Sequence, residues 1–225
     1  MSDLSGKAFL VVGATGALGS RIARLLADCG AAVTVSGRSA EALTSLGVDG
    51  AHVVAADLRE PDAPRSVVTA AIERHGRLDG LVIAAGVVAF GALTDIDDDT
   101  VDDLLLIDFL APLRLIRAAL PVMESGGVIL GISAVVAEKP MPNMAVYSAA
   151  KAATAALFTA VRTEARRRKV RIVDVRPPHT ETGLAGRAIA GDPPKLPTGL
   201  DPDAVAARIV EALLGKETDV PSTAF

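Results

Sequence analysis

The feature that most constrains this 225-residue chain is an alternation: six short apolar runs, separated by stretches with helical spacing. The runs are AFLVVG (8–13), AVTVS (32–36), HVVAA (52–56), GLVIAAG (80–86), GVILGIS (127–133) and VRIVDV (170–175). They are too continuously apolar for strands with one wet face, so they suit strands covered on both sides of a parallel sheet. Periodic stretches at 16–28, 39–46, 61–75, 98–124 and 145–168 lie between them, and a last helix, 202–214, opens after Asp201-Pro202. Parallel neighbours need long crossovers, and helices in right-handed βαβ units supply them.

The expected fold class is therefore α/β: a Rossmann-like, doubly wound parallel sheet in a single domain spanning 1–225. With half the residues apolar, the chain has material for a substantial core. Residues 183–200, GLAGRAIAGDPPKLPTGL, break the alternation with Gly and Pro and are expected to form a mobile loop over a substrate. The formal net charge of −4 argues against nucleic acid as a partner, and the basic run at 166–169 suits the negative end of a helix. One cysteine, Cys29, forbids an internal disulfide and agrees with a reducing cytoplasm. The N-terminus has no basic leader, and no run approaches the roughly 20 apolar residues that span a bilayer, so neither export nor membrane insertion is expected. Three scattered histidines offer no metal-binding spacing.

In a doubly wound sheet, ligands bind beyond the carboxyl ends of the strands. After the first run comes Gly13-Ala14-Thr15-Gly16-Ala17-Leu18-Gly19 and then a helix. Glycines there allow a tight turn and close approach of a pyrophosphate, which the helix N-terminus attracts. Gly13, Thr15, Gly16, Ala17 and Leu18 are the expected contacts of a dinucleotide. The second run ends Ser36-Gly37-Arg38-Ser39, with no carboxylate to hold a ribose hydroxyl. A guanidinium beside hydroxyls suits a 2′-phosphate instead, so Arg38 and Ser39 favour NADP(H) over NAD(H). Asp57, with Leu58 beside it, follows the third run and is placed to accept from an adenine amino group. Tyr147, the only tyrosine, lies four residues before Lys151, one helical turn away on the same face. An ammonium beside a phenol favours the phenolate, drawing its pKa down from about 10.

The GATGALG turn, Asp57, Ala84-Ala85-Gly86 after the fourth strand and the Tyr147–Lys151 pair, in this order, resemble the short-chain dehydrogenase/reductase family over residues 5 to 215. That resemblance implies NAD(P)-linked oxidation of alcohols or reduction of carbonyls. Tyr147 would exchange the proton with the substrate oxygen, and Lys151 would tune it and hold the nicotinamide ribose. Pro177, Thr180 and Thr182, in PPHTET, look like the family loop at the nicotinamide end, with His179 nearby.

Several positions depart from the family pattern. The usual catalytic serine is Ala134 here; Ser133, one residue early, is the candidate catalytic hydroxyl in its place, though strand alternation turns it away from Tyr147 unless the strand end twists. The asparagines after strand four are absent, though small residues still let backbone approach a cofactor. The family's mid-helix Asn aligns with Asp108, which would act as a proton acceptor if burial raised its pKa. Pro112 cannot donate to the Asp108 carbonyl, so the helix is expected to kink and leave that carbonyl for a relay water. Only GKETDVPSTAF follows the last helix, so the strand and tail that end ordinary members are expected to be missing. A homodimer through helices 98–124 and 145–168 is expected instead of a tail-built tetramer. Met141 and Met144 are candidates for an apolar substrate wall. The expected activity is NADP-dependent hydride transfer to or from a small, mainly apolar carbonyl or alcohol. The alternative is a catalytically weak NADP-binding regulator or scaffold on the same fold.

Overall fold

In the computed structural model, which describes residues 3–225, the first strand takes the middle of the sheet. The first two residues of the expected 1–225 domain lie outside the described residues. Strand β1 (Ala8–Val12) pairs in parallel with β2 (Ala32–Gly37) on one side and β4 (Gly80–Ile83) on the other. With β3 (His52–Ala55), β5 (Val128–Ile132), β6 (Arg171–Val175) and β7 (Asp219–Val220), the order is β3-β2-β1-β4-β5-β6-β7 and every pairing is parallel. The winding reverses between β1 and β4, which opens a crevice at their carboxyl ends.

Alternate strand residues serve the two faces. Phe9 and Val11 join the apolar cluster under α1 (Ala17–Asp28) and α7 (Pro202–Leu214); Leu10 and Val12 join the cluster under α3 (Ala63–His75) and the long helices. Both clusters are fully covered, as the continuous apolar runs require. A short helix, α2 (Ala40–Thr44), links β2 to β3.

The 98–124 stretch is three segments. Helix α4 (Asp98–Leu105) starts at Asp97, whose carboxylate accepts from the Thr100 amide at 2.7 Å. A π-helical turn covers Leu106–Leu110, and α5 (Ala111–Ala119) completes the helix, ending before Pro121. The expected break at Pro112 is thus taken up as a widened turn, a usual way to absorb a missing backbone donor. Helix α6 (Ala145–Ala165) is Ala-rich and ends in a tight turn at Arg166–Arg168, with Lys169 left-handed at φ 56°. It lies close on β5 because residue 131 has no side chain: a Cβ on Gly131 would stand 2.1 Å from the Phe158 ring. That contact brings the start of α6 to the end of β5.

One expectation is corrected. The short tail does supply a further strand: Asp174 pairs with Asp219 and Val175 with Val220. Two residues suffice because side chains complete the attachment, with Arg176 bound to both Asp219 and Glu138, and Glu138 accepting from the Ser222 hydroxyl. The 183–200 loop is also pinned at two points. Ala190 bridges to Ala89, and Leu200 to Thr180. Among the described residues no helix is long and apolar enough to cross a membrane.

Candidate functional site

A cleft of about 810 Å³ runs across the carboxyl ends of the central strands, from the glycine turn to the start of α6. It is lined at one end by Gly13, Thr15, Gly16, Ala17, Leu18, Arg38, Asp57 and Leu58. Gly13 has φ +82°, and a Cβ there would collide with Ala85 N at 2.4 Å, so the turn nests against the 84–86 loop. Helix α1 begins at Gly16 with no side-chain cap and no acidic residue in its first turn. Its first amides are left to attract an anion. Ser36 Oγ is buried at this end without a hydrogen-bond partner, and Arg38 pairs with no carboxylate among the described residues. Ser39 does not line the cleft: its hydroxyl accepts from Ala42 N at 3.1 Å and caps α2, a role Ser takes readily at a helix start.

Sequence reading missed Arg59. It lines the cleft beside Asp57, reaches Asp57 Oδ2 at 3.4 Å and holds Asp103 of α4 through two bonds of 2.6 and 2.8 Å. Its place directly after Asp57-Leu58 was the only available signal; the partner Asp103 is 44 residues away.

The other end of the cleft holds Ala84, Ala85, Gly86, Tyr147, Lys151, Pro177, Thr180 and Thr182. Met141, Met144, Val88, Phe90, Val136 and Ile189 add an apolar wall, and His179 lies on the loop side. Tyr147 and Lys151 project from the same face of α6, with the Lys151 Nζ 5.8 Å from the phenol ring centre. The Tyr147 hydroxyl bonds to no described residue, which leaves it for a ligand. Lys151 donates to the Ile132 carbonyl at 3.2 Å and sits 3.0 Å from Asp108 Oδ1. Asp108 is wholly buried and does not line the cleft; it accepts from the Val87 amide at 3.3 Å, and its Oδ2 has no partner.

Two sequence expectations change here. Burial pushes the Tyr147 phenol above its ordinary value; Lys151 pulls it back, but the Asp108 charge works against Lys151, so the net direction is up, not down. The Asp108 carbonyl, freed by Pro112 as expected, accepts from the Thr154 hydroxyl at 2.5 Å and keeps a second lone pair. Thr154 is one turn beyond Lys151 on the same buried face, a spacing that was visible in the sequence. Ser133 is turned out of the site. Its hydroxyl bonds to Asp174 at 2.5 Å beneath the sheet end, in the same network of Arg176 and Glu138 that holds β7. Ala134, facing the cleft, is left at φ 92°, a conformation unfavourable for a residue with a Cβ.

A family model described as short chain dehydrogenase matches residues 7–192. An uncharacterized oxidoreductase of Methylorubrum extorquens is 36% identical over 200 residues, 85% of this chain and 80% of that one. A short chain dehydrogenase from Burkholderia cenocepacia, crystallised in complex with NADP, is 27% identical with a TM-score of 0.85, over 98% of both chains. A dehydrogenase/reductase from Sinorhizobium meliloti is 25% identical with a TM-score of 0.86, over 99% of this chain and 96% of that one.

Proposed function

Since this chain belongs to the short-chain dehydrogenase family, we propose that it is an NADP-dependent oxidoreductase acting on a small, mainly apolar carbonyl or alcohol. One observation carries the reading. A single cleft joins the glycine turn and Arg38 at one end to the unpaired Tyr147 hydroxyl at the other. The dinucleotide fits what lines it: the uncapped α1 terminus suits the pyrophosphate, while Arg38 and the orphaned Ser36 hydroxyl suit a 2′-phosphate. Ala84, Ala85, Gly86, Pro177, Thr180 and Thr182 would flank the nicotinamide half, with Lys151 reaching its ribose. When bound, the dinucleotide supplies or takes the hydride.

Tyr147 gives its hydroxyl proton to the substrate oxygen in reduction and receives it back in oxidation. Met141, Met144, Val88, Phe90 and Ile189 select an apolar substrate and exclude water. A homodimer through α4–α5 and α6 belongs to the same reading, supported by Ala118, Leu120 and Leu157, which stay partly uncovered on those helices. The cytoplasm is its proposed location.

Arg38→Ala is expected to weaken NADPH about 10–100-fold, the loss of a charge-assisted pair, and to leave NADH nearly unchanged. Titrations followed by cofactor fluorescence check this, and equal losses for both would remove the 2′-phosphate assignment. A panel of apolar ketones and aldehydes with NADPH tests the activity itself.

A second reading, an NADP-binding protein with weak catalysis and a regulatory role, is favoured by the commitment of Ser133 to Asp174 and by the missing hydroxyl at Ala134. Ala134→Ser separates the two. If a missing oxyanion donor limits the rate, kcat rises by up to about 10²-fold; an unchanged kcat on a responsive substrate shows that this donor is not what limits it.

A further inference from the structure

The proton-exchanging end of the cleft contains three ionisable groups, and the third changes what the first two do. Lys151 stands 5.8 Å from the Tyr147 ring, and by itself an ammonium at that range lowers a phenol by about 1–3 pH units. Here the ammonium is not by itself. Asp108 Oδ1 is 3.0 Å away on the side opposite solvent, and both side chains are almost completely buried. Little water screens the pair, and Asp108 has no second cation. Its other oxygen is unpartnered, and the Val87 amide is its one further bond. The 84–86 loop closes over both groups: a Cβ on Gly86 would stand 2.9 Å from Asp108 Oδ1 and 3.2 Å from Lys151 Nζ.

Resting on the oxidoreductase reading above, we infer that Asp108 acts through Lys151 as the positioning residue that governs when Tyr147 gives up its proton. Paired with the ammonium at 3.0 Å, it offsets part of the attraction that would favour a phenolate, so Tyr147 stays a phenol through the neutral range and the pH at which reduction loses its proton donor and oxidation gains its base lies on the alkaline side. In reduction the Tyr147 O–H bond breaks, its proton goes to the carbonyl oxygen, and the hydride of the reduced dinucleotide goes to the carbonyl carbon. Oxidation needs the reverse: a phenolate that takes the alcohol proton while the oxidised dinucleotide takes the hydride. Each unit by which the Tyr147 midpoint stands above the working pH cuts that phenolate about tenfold.

The charges around the pair agree. Burial opposes the Lys151 ammonium, but Asp108 first, then Tyr147 and Asp174, hold it above its ordinary value. Burial raises Asp108, with Lys151 opposing. Between those two titrations the Asp108 charge offsets part of the Lys151 attraction at Tyr147, and burial of the phenol gives the largest upward push. Asp174 on β6 is itself bound by Arg176 and Ser133. On the loop wall, His179 lies 3.6 Å from Glu181, and Arg187 donates to the Thr182 carbonyl.

The chain offers a direct readout. Tyr147 is its only tyrosine and it has no tryptophan, so the near-ultraviolet tyrosinate band reports one group, without ligand or turnover. Alkaline titration of the native protein is expected to develop the band only above the ordinary phenol value, or only as the fold is lost. Asp108→Asn keeps the shape and the bond to Val87 but removes the charge, and is expected to lower the midpoint by about one unit or more. Tyr147→Phe is the blank. With any substrate pair that turns over, the same variant is expected to move the pH midpoints of kcat/KM for oxidation and for reduction downward together by a matching amount, the ratio of the two directions at any one pH being fixed by the equilibrium constant. A native midpoint below the ordinary phenol value, or an Asp108→Asn midpoint that does not move, overturns the inference. If Asp108→Asn does not fold, Asp108→Ala takes its place, because burial alone raises the native midpoint and only loss of the carboxylate isolates its part; an unmoved midpoint there overturns the inference as well. Absence of turnover on every carbonyl would count against the oxidoreductase reading and leave the tyrosinate result standing on its own.

Discussion

Replacing Tyr147 by phenylalanine is expected to lower kcat for carbonyl reduction by about 10²–10⁴-fold, the usual contribution of a positioned proton donor. Stability and NADPH affinity should change little. The ring is 6% exposed and packs with Val88, Phe90, Leu104, Val136 and Met144, all contacts that phenylalanine keeps. The hydroxyl has no protein partner to lose, so its removal orphans no buried group. Lys151 remains bound to Asp108 and the Ile132 carbonyl, which keeps the floor of the site in place. Only a group that hands over a proton explains lost turnover with unchanged melting temperature and cofactor binding. Equal turnover in both proteins would exclude Tyr147 as the acid.

Gly13→Ala is the second large effect, and it acts at the opposite end of the cleft. A Cβ at that position would stand 2.4 Å from Ala85 N, 2.6 Å from Ala85 Cα and 2.7 Å from the Ala84 carbonyl carbon, all backbone atoms that cannot rotate away. The φ of +82° adds its own penalty for a residue with a side chain. Overpacking and left-handed backbone together cost about 2–5 kcal/mol, and the turn must shift away from the 84–86 loop. NADPH binding should be lost with it, since the turn and that loop line the same cleft. Gly47→Ala is the control: φ is +65° there, but nothing lies within 4 Å, so only the conformational part, about 1–2 kcal/mol, is expected. Chemical denaturation of both variants separates collision from backbone strain.

Much of the fold was legible because its signals are local. A strand buried on both faces must be apolar along its length, and a turn that approaches another backbone must lack a Cβ, so the six runs and Gly13 announce themselves. The two-residue strand β7 does not, because it is held by Arg176, Glu138 and Asp219 rather than by its own pattern. At the site, the spacing of Tyr147 and Lys151 was sufficient to place both on one helical face. Strand alternation likewise foretold that Ser133 would turn away. What spacing could not reveal was the third charge. Whether Asp108 met Lys151 depended on how a π-helical turn placed it, and burial of the phenol first, with the Asp108 charge added, reversed the expected direction of the Tyr147 shift. Arg59 and Asp103 were hidden for the same reason, as partners from distant elements.

The segment between the two bridges also shapes the mouth of the cleft. Of the nine residues between Ala190 and Leu200, Gly199 donates its amide to Glu181 at 2.7 Å, and Pro193, Pro194 and Pro197 have their φ fixed by the ring. Pro193, Pro194, Leu196, Pro197 and Thr198 of this segment line the cleft yet belong to neither of the two apolar clusters that hold the sheet, so substitutions among them are expected to reshape the cleft mouth without weakening the fold.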